Sequence, residues 1–162
     1  MKIVHGGSDL PLMEQVNKQG CWALRWNRQQ DGDNDYAYCE EILNQKPTLT
    51  DVKDIILDWI NSETDNTILS GYVWHDMPVW LSTENQFNYK AAYDLAIQTS
   101  GESLPVTFKF GTTEEPVYYK FTTVDELNDF YSGAMSFINS TLYDGWQRKD
   151  SMNFDEYKQY FK

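Results

Sequence analysis

Cysteine, histidine and basic residues are all scarce in this chain of 162 residues, and each shortage removes a class of explanation. Two cysteines, Cys21 and Cys39, are too few for the disulfide framework of a small secreted scaffold and do not form a CxxC pair. They fall in two neighbouring candidate strands and are expected as buried free thiols. Two histidines, His5 and His75, do not suffice for a His-rich metal centre, and neither stands in an HExxH motif. Thirteen basic residues against 25 acidic ones leave a formal charge of −12, a field that repels phosphate backbones and anionic membrane surfaces. Neither nucleic acid nor a membrane is therefore an expected partner. Apolar runs of the length needed for a signal peptide or a bilayer span are missing, so synthesis in the cytoplasm is expected. Nucleophile motifs such as GxSxG and phosphate-cradling glycine loops are missing too.

What is present is core-forming. Hydrophobic residues make up 41% of the chain and aromatics 15%, enough buried surface for one domain, or one domain with an extension, without metal or disulfide staples. The patterning implies an α+β fold of antiparallel β-hairpins packed against about three amphipathic helices. Residues 1–60 read as an N-terminal hairpin and helix extension, 61–150 as a hairpin-helix-hairpin-helix core, and 151–162 as a tail that is either a short docked helix or an arm for a neighbouring subunit. Lys2–Val4 reads as a short strand, followed by a short helix between Ser8 and Gly20 with Pro11 in its first turn. Cys21–Asn27 alternates, Trp22, Leu24 and Trp26 against Cys21, Ala23 and Arg25, and pairs with a second strand over Tyr36–Leu43. Thr50 caps a helix whose stripe is Val52, Ile55, Ile56, Trp59 and Ile60, ending between Asn61 and Thr64. Tyr72–Trp74 and Val79–Leu81 form short strands around a turn at His75–Pro78. Ser82 caps the next helix, in which Phe87, Ala91 and Leu95 form one apolar row with Ala92 and Ala96 beside it. Val106, Phe108 and Phe110 face one way in a strand, answered by Val117, Tyr119 and Phe121 in its hairpin partner. Thr123 and Glu126 form a capping box for a long amphipathic helix reaching about Trp146.

Few of these residues name a chemistry. Asp31, Asp33 and Asp35 have the one-apart spacing of the first half of an EF-hand loop, but Tyr36 stands at the glycine position and Ile42 at the closing acid position, with Glu40 and Glu41 nearby. A solvated acidic turn is the simpler reading. No metal or cofactor is expected, and no catalytic residue is singled out, although a hydrolase with paired carboxylates stays open as an alternative. The aromatics Trp22, Trp26, Tyr36, Tyr38, Trp74 and Trp80, with Met77, are candidates for a binding surface, either a protein interface or a platform for sugar rings. A core role for most of them is the competing reading.

Three segments carry a likeness. SGYVWHDMPVWLSTENQFNYKAAYDLA, LPVTFKFGTTEEPVYY and DELNDFY, at the spacing found here, resemble an uncharacterised domain family encoded in phages and prophages, near or within tail-fibre and tail-assembly proteins, including those of phages of gut Bacteroides-type bacteria. The likeness spans roughly residues 61–150, with DNDYAYCEEIL and KPTLTDV extending it upstream. It implies a non-enzymatic structural or accessory role, contacts with other phage structural proteins or with itself, and passage from host cytoplasm to the virion. A carbohydrate-binding module that grips host surface glycan through the Trp22–Tyr38 hairpin is the alternative. No catalytic residues are carried over.

Overall fold

The computed structural model describes residues 1–162 and has an α+β fold in which every strand pairing is antiparallel. It divides into two compact units, residues 1–59 with 151–162, and residues 60–150.

The first unit holds a four-stranded sheet in the order β1-β4-β3-β2, built from β1 (Lys2–Gly6), β2 (Met13–Gln15), β3 (Trp22–Gln30) and β4 (Tyr36–Leu43). The helix expected between Ser8 and Gly20 is absent. Met13–Gln15 pairs instead with Trp22–Leu24, which buries Met13 and brings Glu14 to Arg25. Local propensity in so short a stretch yields to a ladder and an ion pair. Ala23, Leu24, Arg25 and Trp26 are consecutive and all buried, so both faces of β3 are covered. Trp26 meets Trp59 edge-on at 6.1 Å, in the first half of helix α1 (Leu49–Ser70). The face bearing Arg25, Tyr38 and Glu40 is crossed by the Gly7–Leu12 segment, where the carbonyls of Gly7 and Pro11 accept from Tyr38 and Arg25. The C-terminal tail docks here as a short helix α4 (Asp155–Lys158), its Tyr157 hydroxyl donating to the Arg25 carbonyl at 2.7 Å. Neither cysteine forms a disulfide; Cys39 is buried and Cys21 half-buried.

Helix α1 (Leu49–Ser70) is capped by Thr48 and not, as expected, by Thr50. Thr48 Oγ1 accepts from the Asp51 amide, and the Asp51 carboxylate accepts from the Thr48 amide and hydroxyl at 2.8 Å each, a reciprocal cap that holds the Asp51 carboxyl below its usual range. The helix also runs past the expected end to Ser70. Ile60, Thr64 and Ile68 continue its buried stripe, and the Thr64 hydroxyl is satisfied by the Ile60 carbonyl at 2.8 Å. A polar threonine disguised the stripe in sequence. It is there because Gly145 lies against it: a Cβ at 145 would meet Thr64 Oγ1 at 2.5 Å.

The second unit contains the hairpin β5 (Tyr72–Trp74) and β6 (Met77–Val79), helix α2 (Thr83–Gln98), the hairpin β7 (Val106–Gly111) and β8 (Pro116–Phe121), and the long helix α3 (Val124–Asp150). The second strand of the first hairpin begins at Met77, two residues before its expected start, because the turn needs only His75 and Asp76. The core is aromatic. Phe130 is fully buried, with the rings of Tyr89, Phe110, Phe121, Trp74 and Phe108 all within 6 Å of its own. No helix is long and apolar enough to cross a membrane.

Two buried phenols set an alkaline limit. Burial pushes the Tyr89 hydroxyl up to about 12, and burial, aided by the Glu156 and Tyr160 charges, also raises Tyr157. The unfolded chain releases these protons near pH 10, before the folded chain does, so stability is complete below about pH 10 and falls as pH rises toward 12. Denaturant midpoints should drop between about pH 10 and 12, and Tyr89→Phe should flatten the slope reported by the second unit.

Candidate functional site

The aromatic hairpin β5–β6 is the best-built feature of the second unit, and its two sides differ. His75 and Asp76 occupy the two-residue turn with φ of 46° and 63°, the left-handed pair that the right-handed twist of a hairpin demands. Neither residue is glycine. Asp76→Val should therefore lower stability by about 1–2 kcal/mol, while Asp76→Gly should leave it unchanged or slightly raised, as read by chemical denaturation.

On one side of the turn, Trp74 stacks on the His75 ring at 4.3 Å and meets Phe130 edge-on at 5.5 Å. The Tyr119 hydroxyl lies 3.4 Å from His75 Nδ1 and donates to Glu126 Oε1 at 2.5 Å. Glu126 thus serves half a capping box: its amide donates to Thr123 Oγ1, while its carboxylate is diverted to Tyr119. That hydrogen bond is the main reason the Tyr119 pKa is raised, with burial and the Glu126 charge adding to it and the Trp74 indole opposing. The hydrogen bond ties β8 to the first turn of α3 and sets the Tyr119 ring against His75.

On the other side opens a cleft of about 760 Å³. Pro78, Val79 and Trp80 form one wall, which the first turn of α2 pins in place: Asn85 Nδ2 donates to the Trp80 carbonyl at 2.8 Å, Gln86 Nε2 to the Leu81 carbonyl at 2.7 Å, and the Asn85 amide to the Ser82 cap. Strand β7, from Thr107 to Gly111, forms the opposite wall, Tyr89 lies between, and Thr112–Glu114 close one end. A site of this volume, with an aromatic base and a few convergent amides and hydroxyls, is suited to holding a ligand.

The expected binding residues separate under this geometry. Trp80 is 52% exposed at the cleft, whereas Trp74 and Met77 are half-buried and packed on the core of the second unit. Trp26 and Tyr38 are corrections: they are 2% and 1% exposed and belong to the core of the first unit. Trp22 and Tyr36 are half-buried, with cations over their rings, Lys46 at 5.1 Å and Arg28 at 5.7 Å. The Trp22–Tyr38 hairpin consequently offers no row of open rings for sugar stacking. In the acidic loop, Asp31 pairs with His5 Nδ1 at 2.9 Å, and Asp33 and Asp35 are exposed.

Sequence reasoning missed the cleft itself, including Asn85, Asn88, Thr107 and Gly111. It also missed that the Phe87, Ala91, Leu95 row faces outward: Phe87 is 72% and Leu95 51% exposed, because Tyr89 and Ala96 take the inner side of α2. Tyr131 and Met135 of α3 line a second hollow beside Phe87 and Ala91. No protein-family model, curated protein or solved structure matches the chain.

Proposed function

We propose that the chain is a non-enzymatic phage or prophage accessory protein, associated with tails or their assembly, that acts through protein–protein contacts made by residues 60–150. The carrying observation is the apolar row Phe87, Ala91 and Leu95 turned to solvent beside Tyr131 and Met135. On a chain of net charge −12, contiguous exposed apolar surface of this kind is the stuff of an interface centre. The phage setting and eventual place in the virion rest on the likeness of the three segments quoted above. The partner is another structural protein of the particle or a second copy of this chain, and the mass of the native assembly separates the two.

Purified virions and tail-assembly intermediates should contain the protein. Phe87→Ser with Leu95→Ser should remove it from them while leaving the thermal midpoint within a few degrees, since both side chains are already in water. Absence of the unaltered protein from both particles and intermediates overturns the proposal.

A further inference from the structure

The outward face of α2 reads alike from either end. Phe87 and Leu95 each lie four residues from Ala91, about 6 Å along the axis to either side of it, and all three are exposed. Two such helices packed antiparallel about Ala91 set Phe87 of each against the partner's Leu95. The two small Ala91 side chains then meet at the crossing, where the helix axes come closest. The same operation puts Glu84 opposite the partner's Gln98, so no acid stands directly against an acid. Lys90 and Asp94 run along one flank of the row and pair with each other at 2.7 Å. A two-fold axis keeps that flank on the same side of both copies, which brings each lysine beside the partner's aspartate. Charge is thus nearly balanced on this face, although the chain's net −12 otherwise sets copies against one another. The face is also held ready. Tyr93 stacks on Tyr131 at 4.7 Å and donates to Asn128 Oδ1 at 3.0 Å, fixing α2 on α3, and the hollow of about 500 Å³ lined by Phe87, Ala91, Tyr131 and Met135 has room for a partner's ring.

We propose that a second copy of the chain covers this face, the two α2 helices lying antiparallel about a two-fold axis at Ala91. This rests on the reading of the chain as a contact-making protein and names its partner. The Lys90 and Asp94 side chains are 55% and 42% exposed, so the bond within one chain is weak and is readily shared with the copy. Their arrangement makes the contact selective: the flank attracts itself only while it carries one charge of each sign. A helix of 16 residues is about 24 Å long, and with Tyr131 and Met135 beside it the contact falls at the small end of specific interfaces. The dimer therefore forms and separates readily, with a dissociation constant in the micromolar range.

Sedimentation equilibrium of the full chain, at concentrations from about 1 to 200 μM, should show a reversible monomer–dimer equilibrium. Ala91→Glu sets two carboxylates against each other at the crossing and should raise the dissociation constant at least about tenfold. Lys90→Glu makes the flank wholly acidic and Asp94→Lys makes it wholly basic, so each alone should weaken self-association by at least about tenfold as well. An equimolar mixture of those two variants should recover the dimer as a heterodimer, and the doubly exchanged variant should associate as the unaltered chain does. These side chains face water, so every variant should keep its thermal midpoint within a few degrees. A chain that stays monomeric at the highest concentration overturns the inference. So does an Ala91→Glu dimer as tight as the parent's, or a mixture of the charge variants that associates no better than either alone. The two readings fail separately. A monomeric chain that enters particles, and is lost from them with Phe87→Ser and Leu95→Ser, assigns the face to another structural protein and defeats the dimer alone; a dimer absent from particles and intermediates defeats the assembly role alone.

Discussion

Arg25→Ala should destabilise the first unit by about 3 kcal/mol. The guanidinium is buried and uses its whole fork: Nε donates to Glu40 Oε2 at 2.7 Å, one terminal nitrogen to Glu14 Oε1 at 2.6 Å, and the other to the Pro11 carbonyl at 2.7 Å. Glu40 is as deeply buried as Arg25, so truncating the arginine strands a carboxylate away from water. The loss stays near the lower end of the range for broken buried pairs because Lys2 still reaches Glu40 Oε1 at 3.0 Å. The pair itself contributes far less than the penalty for breaking it. Arg25→Met with Glu40→Leu should accordingly lie within roughly 1 kcal/mol of the unaltered protein. Denaturant titration of the two variants, followed through the fluorescence of the buried Trp26, checks both. A single variant as stable as the parent would mean that Glu40 is solvated.

Phe130→Ala should be at least as damaging to the second unit, by about 3–5 kcal/mol. Rings from β5, α2, β7 and β8 converge on this one side chain of α3, and the space it leaves is enclosed by other aromatics too rigid to collapse into it. Phe130→Leu keeps much of the volume and should remain within about 1.5 kcal/mol. Differential scanning calorimetry measures both, and a loss under about 1 kcal/mol for the alanine variant would show that the cluster is loosely packed.

The elements that were legible in the sequence are those in which local and long-range preferences agree. The alternation of Val106, Phe108 and Phe110 against Val117, Tyr119 and Phe121 is the observed register of β7 and β8, and Ser82 caps α2 as its spacing implies. The failures have specific causes. Around Met13 the choice between helix and strand was made by Leu24 and Arg25, a hairpin away in sequence. The length of α1 was hidden because Thr64, a residue that ordinarily signals a polar surface, is buried against Gly145. The outward turn of Phe87 was hidden because a helix with apolar residues on two sides does not declare which side the core takes, and Tyr89 with its ring partners decided it. Trp26 and Tyr38 looked like binding aromatics for the same reason: composition does not distinguish a ring in a core from one at a surface. The cleft needed tertiary structure, since its walls come from segments about thirty residues apart.

The register of β7 against β8 is tested most directly by residue-resolved amide exchange on the chain alone. Phe108 and Phe110 should be strongly protected while Thr107, Lys109 and Gly111 exchange as exposed amides, giving a two-residue alternation along one strand. Uniform protection along β7 would contradict that register.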